Sequence, residues 1–555
     1  MKKVMKFSRP LFGDYTKKYY MKLKYILSIS SIVLLAIFLL ALKAQKEEYM
    51  YSDSDLYNNK KTLTINLGET PYIPWSYVDT ATNVVETFGS AVFGNLIDLE
   101  EISSKTDRFI LIDNYSCKNK KCIINLKENV KFHNGRTVTA FDVEFSFIRL
   151  IMQNPEENFA FSNLDDIIGI DSLKPAKYVS IHNLNYPRGV LSGFEVVNDY
   201  QIILHLKRDN NFLLQKLSSA YMPIVPIEEL TENYVDWKGI PIGFGRYKIV
   251  KSDLEKYQFV LEKTSNEDIP KYIRIIFENK DIGDLRFLSH MSESQYDGKV
   301  LFPNIYVNGG LLFNFKSKLG SNENFRAAIS LALDREKIVN TSPDNDLVAE
   351  DQMLARYSWQ ERYRSRENLT ARNFELAKEY LNKVPAELWQ GKELNVHSFW
   401  TIKKDLNSVN YIKEIKRQLA EIGINLQFHN TDPNYTKFKK DDENVLWFTG
   451  FDTQTDDPNA NFAYFKAGSF FNNIYPENDK EFLQLYELSV NNFLSNPEHT
   501  RNLSEYFKKK NYMVVIFNVK KRFAYRKDRI EFLESEYSGV RLDLWKIKLL
   551  DFKLF

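Results

Sequence analysis

Apolar and polar residues alternate through Thr62-Leu-Thr-Ile-Asn-Leu67 and predict the first strand, which Pro71 and Pro74 follow and interrupt. Strand-like runs (FILIDNYS, then IINL) flank Cys117-Lys-Asn-Lys-Lys-Cys122 and predict a hairpin with a four-residue loop. Asn134-Gly135 marks a tight turn, since both residues tolerate positive φ. A helix then starts at Thr139, with Asp142 three residues on as a variant capping box and Val143, Phe147, Ile148 and Ile151 among its apolar positions. Residues 195–206 read as two strands across Asn198-Asp199, and the Pro/Gly-rich stretch 221–250 feeds a strand at Tyr247-Lys-Ile-Val250. Leu311 to Phe315 is a strand, and Ser321 or Asn322 caps a helix that carries Phe325, Ile329 and Leu333 on one face.

The clearest pattern covers 393–450. Leu394 to Phe399 alternates as a strand, and Ile412, Ile415, Leu419 and Ile422 repeat at helical spacing within about 405–422. Gly423 stands where a left-handed helix end is wanted, Ile424, Leu426 and Phe428 alternate again, and Val445 to Phe448 adds a third strand. This is a βαβ unit with a further strand, so the fold class is α/β.

One apolar run differs in kind. Tyr25 to Leu42 holds 18 residues without a charge, just enough to cross a hydrocarbon core of about 30 Å. Residues 1–45 carry nine basic residues and one acid, and eight of the basic ones precede the run, so the positive-inside rule keeps 1–24 in the cytoplasm and exports the chain beyond the run. Either a transmembrane anchor or a cleaved signal helix fits; Leu42-Lys43-Ala44 is a poor small-x-small cleavage site, which favours the anchor. A polar stretch at 43–60 reads as a linker. The remaining chain has 66 basic and 72 acidic residues, a mildly acidic body that argues against nucleic-acid binding. In an oxidising compartment Cys117 and Cys122 pair across their hairpin; two unpaired thiols on neighbouring strands are the alternative.

Catalytic motifs are wanting. None of the seven histidines stands four residues from another, so there is no HExxH site, and neither a G-x-S-x-G elbow nor a Walker-type loop occurs. His133, beside the Asn-Gly turn, reads as structural. No metal, cofactor or catalytic residue is expected.

Longer motifs do match. Val130-Lys-Phe-His-Asn-Gly-Arg-Thr-Val-Thr-Ala-Phe-Asp-Val-Glu-Phe-Ser-Phe147, the hairpin region Phe194 to Leu206, Pro241-Ile-Gly-Phe-Gly-Arg-Tyr247 and Phe325-Arg-Ala-Ala-Ile-Ser-Leu-Ala-Leu-Asp-Arg335 resemble, in that order, the large solute-binding proteins of ABC importers, the peptide, dipeptide and nickel group. The resemblance covers about 61–555. It implies a two-lobed α/β periplasmic-binding-protein-like fold, type II, in the large variant with an extra inserted domain. Lobe I would span 61–305 with the insert at about 95–193, lobe II 306–500, and 501–555 would return to lobe I, the chain crossing near 300–310 and again near 500. A peptide or similar solute would be enclosed between the lobes, its main chain paired as an added strand, and delivered to ABC permease subunits by a monomeric receptor.

The resemblance also names a site. In peptide-binding members an Asp in a Trp-x-x-Asp-x-x-Asp-Pro stretch receives the guest's ammonium. Here the stretch reads Leu446-Trp-Phe-Thr-Gly-Phe-Asp-Thr-Gln-Thr-Asp-Asp-Pro458, longer than that pattern, with Gln454 at the register position counted back from Pro458. Asp452 is the candidate ligand, Asp456 the second, with Trp447 and Gly450 beside them; a helix-capping role for Asp456-Asp457-Pro458 is the alternative. The same fold used as a tethered sensor or scaffold, or an anchored envelope hydrolase, are the competing functions.

Overall fold

The computed structural model describes residues 61–68, 83–98, 110–153, 164–210, 213–218, 222–256, 258–278, 280–288, 294–342, 346–398, 405–430, 446–451, 457–466, 479–493, 495–531 and 542–550. The basic segment 1–24, the apolar run 25–42 and the linker 43–60 lie outside these residues. Among the described residues no helix is long and apolar enough to cross a membrane.

Two long antiparallel strands, Gly298–Phe313 and Met513–Tyr525, organise the rest. Their early and late ends (Gly298–Leu301 against Arg522–Tyr525) join a sheet with Leu285–Leu288, Thr62–Asn66 and Tyr272–Ile276, which makes lobe I. Their other ends (Tyr306–Leu312 against Met513–Lys520) join Leu446–Thr449, Glu393–Ser398 and Asn425–Asn430, which makes lobe II. The register shifts between Leu301 and Tyr306, where the residues in between face only Lys521 on the partner strand, since Leu301 pairs Arg522 and Tyr306 pairs Lys520. An irregularity of this kind bends a ribbon locally, and it falls where the chain passes from one lobe to the other. On the partner strand this irregularity falls at Lys520–Arg522, and the helix Glu498–Lys510 packs Leu503 and Phe507 into the cluster that Trp447 faces.

A four-stranded sheet (Ile112–Lys118, Lys121–Leu126, Gln201–His205, Phe194–Asn198) shares one core with Phe147, Ile167, Leu213, Leu217 and Ile224, so the strands on either side of 193 pack together. Between Lys118 and Lys121 the loop is two residues, not four. Asn119 and Lys120 both take positive φ (53° and 58°), the geometry that matches the twist of a tight hairpin. Cys117 and Cys122 are register partners there, with their sulfurs joined.

Lobe II follows the alternation of its strands. Leu446 and Phe448 face a core with Leu311, Phe313, Val396, Ile412 and Ile415. Trp447, one residue on, faces the opposite cluster of Leu312, Phe462, Tyr486 and Val515. The strand is buried on both faces because helices cover both, as parallel neighbours require. Gly423 ends the helix Asn410–Ala420 at φ 87°, and Asn322 caps Glu323–Ala332 by accepting the Asn324 and Phe325 N–H groups.

Candidate ligand site between the lobes

The Trp447–Pro458 stretch leaves the middle of the lobe II sheet. Trp447 is fully buried, so its ring shapes the sheet from behind. Gly450 is required for a different reason: a Cβ there would stand 1.8 Å from the Asn308 carbonyl oxygen. That close approach lets the Asn308 N–H reach the Phe451 carbonyl at 3.0 Å, extending the pairing onto a crossing strand. Phe451 then stacks on Tyr464 with ring centroids 5.1 Å apart. Trp447 and Gly450 thus each serve the packing and pairing of the sheet, while Asp452 and Asp456 lie outside the described residues.

Asp457 is described, and it is buried. Its Oδ1 accepts the Asn459 N–H at 2.8 Å and the Asn459 side-chain amide at 3.1 Å, ordering the entry to the short helix Ala460–Ala463. Burial pushes its carboxyl up, and the ammonium of Lys216, which comes from the insert of lobe I, pulls it back.

Lys216 is the centre of an interlobe charge cluster that the motifs did not reveal. The residue lies in the short helix Leu213–Leu217, among Leu213, Leu214 and Leu217 of the insert core. Its Nζ donates to Asp165 Oδ1 at 2.9 Å and to Asp166 Oδ2 at 3.1 Å. Arg208 Nε stands 2.6 Å from Asp166 Oδ1, and its Nη1 reaches Glu487 of lobe II at 2.5 Å. From lobe II, Lys466 approaches Asp165 Oδ2 at 3.5 Å and lies over the Tyr486 ring, 4.7 Å from its centroid. Burial works against the Lys216 charge, but Asp165 and Asp166, with Tyr486 and Asp457 behind them, hold its pKa well above the ordinary value. Burial likewise opposes the Asp165 charge, and Lys216, Lys466 and Arg208 together keep its carboxyl below the usual range. One signal was available: a lysine set among leucines in LLQKL is a charge in an apolar run, and such a charge needs a buried partner.

The family-like run 130–147 has another task. Asp142, fully buried, accepts from Arg136 Nη1 and Nη2 at 2.9 and 2.7 Å, from the Thr139 N–H and hydroxyl at 2.8 and 2.9 Å, and from the Tyr186 hydroxyl at 2.8 Å. Arg136 also holds Glu228. His133 reaches the Gly245 carbonyl through Nε2 at 3.1 Å and takes the Gly243 N–H on Nδ1 at 3.3 Å. Those glycines sit against the helix Asn83–Val92: a Cβ on Gly243 or Gly245 would come within 2.4 Å of the Val92 or Ala91 carbonyl oxygen. A hollow of about 520 Å³ beside His133 and Phe244 is lined by lobe I residues alone. A guest there would touch one lobe and could not favour closure over opening.

The geometry is that of a two-lobed binding protein whose lobes meet over a polar face. Residues 113–473 match the bacterial extracellular solute-binding proteins, family 5 Middle. The chain belongs to that family, whose members bind solutes and are not enzymes. It is 25% identical to the oligopeptide-binding protein AppA of Bacillus subtilis over 250 residues, 40% of this chain and 41% of AppA, so the match spans about two fifths of that relative. In fold it is similar to AgaA from A. tumefacien R10, solved with agropinic acid (TM-score 0.68, 17% identity, 88% of this chain and 99% of that one). It is equally similar to OppA of Haemophilus influenzae, solved with RPPGFSPFR (TM-score 0.68, 15% identity, 88% and 99%).

Proposed function

We propose that this chain is an extracytoplasmic receptor that captures a peptide or similar small solute between its lobes and delivers it to the permease subunits of an ABC importer. Two lobes connected by a pair of long strands, with a polar face between them, carry this reading. A guest that touches both lobes stabilises only the closed arrangement, so binding and closure are one equilibrium. The names of AppA and of the OppA complex supply the peptide class. In this reading lobe I comprises 61 to about 301 and 522–550, with the insert at about 95–224, and lobe II comprises about 306–520. Residues 25–42 serve as a membrane anchor or signal helix, Asp452 with Asp456 receives a polar end of the guest, and the receptor acts as a monomer.

Mass spectrometry of small molecules released by denaturing the protein purified from its own envelope tests the function. A set of peptides is expected; their absence, or a single non-peptide solute, overturns the peptide class. Asp452→Asn should weaken binding of a released peptide by about tenfold or more, which is about 1.4 kcal/mol. Unchanged affinity removes that residue from the site. Amino-terminal sequencing of the mature protein decides between anchor and cleaved signal.

A further inference from the structure

The hollow of about 520 Å³ beside His133 gathers charge of one sign. Apart from His133, four ionisable side chains line it, and three of them are lysines. Lys131 comes from the turn at 130–137, Lys248 from the strand Tyr247–Asp253 and Lys263 from the end of the strand Gln258–Lys263. The one acid, Glu262, is the register partner of Lys248, and its carboxylate stands 3.3 Å from the Lys248 ammonium. Lys263 donates to the Glu267 main-chain carbonyl at 2.7 Å, while the Glu267 carboxylate is held by Arg246. Among the described residues the Lys131 ammonium meets neither an acceptor nor an acid. Lysines that converge on a concavity with a single acid leave an excess of positive charge there, and the concave wall focuses its field.

The walls stand ready without a ligand. His133 ties the turn to the connector through its bonds to Gly243 and Gly245, and Phe132 and Phe244 pack edge to face with ring centroids 5.9 Å apart. The volume falls within the range of about 300–1,000 Å³ found for small-molecule sites, which are mostly pre-formed. We propose that this hollow is a second binding site, for a small phosphate monoester. Such a group carries nearly two negative charges and three terminal oxygens at neutral pH. It can therefore meet all three ammonium groups at once, whereas a carboxylate offers two oxygens and one charge. The site is separate from the interlobe guest, because every residue that lines it belongs to lobe I.

Equilibrium dialysis of the full-length chain with labelled glycerol 3-phosphate tests the proposal. Wild type should show a single saturable site with a dissociation constant below about 1 mM. Inorganic phosphate should compete, succinate should compete less well, and glycerol should not compete. Lys131→Met removes an exposed ammonium without a partner, so the fold is kept and binding should weaken by about fivefold or more. Glu262→Gln frees Lys248 from its acid and should tighten binding by about threefold, a gain that damage to the fold would not produce. Wild type without saturable binding at about 10 mM overturns the site. Succinate competing as well as phosphate overturns the phosphate class. An affinity that Lys131→Met leaves unmoved, or that Glu262→Gln fails to raise, places the anion elsewhere and overturns the assignment. Each of these results leaves the peptide reading intact, since no interlobe residue is involved.

Discussion

Asp142 and Lys216 each anchor a buried charge cluster, and the two clusters differ in reach. Around Asp142 the partners Arg136 and Thr139 lie within six residues, and Tyr186 and Glu228 belong to the same lobe. Around Lys216 the acids are 51 and 50 residues away, and the bond from Lys466 to Asp165 spans 301 residues and two lobes. An ion pair inside one body is the same whether the lobes are apart or together. An ion pair across two bodies exists only when they meet, so its energy enters the closing equilibrium. The first cluster is a stability device, and the second couples stability to conformation.

The largest expected effect tests the first half of that contrast. Asp142→Ala leaves Arg136, the Tyr186 hydroxyl and the Thr139 N–H without their shared acceptor. Removing one partner of a buried, hydrogen-bonded pair costs about 3–5 kcal/mol, and denaturant unfolding should show a loss of that size. The protein that remains folded should bind its guest within about twofold of wild type, a change under about 0.5 kcal/mol. A large affinity loss in the folded fraction would mean that this cluster, too, feels the lobes.

Asp165→Asn addresses the other cluster with a smaller stability change, about 1–3 kcal/mol, because Asp166 still holds Lys216. Its distinguishing readout is shape. Small-angle scattering of ligand-free protein should give a larger radius of gyration for Asp165→Asn than for wild type, and the wild type should expand as salt is raised and the partly exposed Arg208–Glu487 pair is screened. Equal radii at low salt would show that these ion pairs do not bear on closure.

Legibility in the sequence divides along the same line. Features set by neighbours in the chain were legible: the Thr139–Asp142 capping box, the Asn134-Gly135 turn, the left-handed Gly423 and the βαβ order of 393–450 all depend on residues a few positions apart. The hairpin at Asn119-Lys120 was read as too long, because lysine seldom adopts positive φ and gives no turn signal. The register irregularity opposite Lys520–Arg522 gave no sign of itself, since Met513–Tyr525 is one unbroken strand and nothing in its composition marks it. The interlobe cluster stayed hidden for the strongest reason. Its members come from four distant segments, and no spacing rule links Asp165 to Lys466.

The smallest effect concerns His133, and its sign is fixed by which state takes up the proton. Nδ1 accepts from the Gly243 N–H, so the remaining proton sits on Nε2 and is donated to the Gly245 carbonyl. Protonating Nδ1 would destroy the first bond, and burial already holds the pKa below its ordinary 6.5, with Lys248 adding to the shift against the raising effect of Gly245. The unfolded chain therefore binds this proton at a pH where the folded chain refuses it. The stabilisation is fully present above about pH 6.5 and is lost as pH falls through the folded value, by about 1.4 kcal/mol for each unit between the two. His133→Gln removes the titration, so the difference in unfolding free energy between wild type and variant should shrink steadily from pH 7 to pH 5. Both partners of the imidazole lie in lobe I, so guest affinity should follow the same pH profile in the two proteins. A constant stability difference across that range would show that the imidazole is not held neutral by its clamp. An altered binding profile would place it in communication with the other lobe, and the separation between local and interlobe clusters would then fail at its most local member.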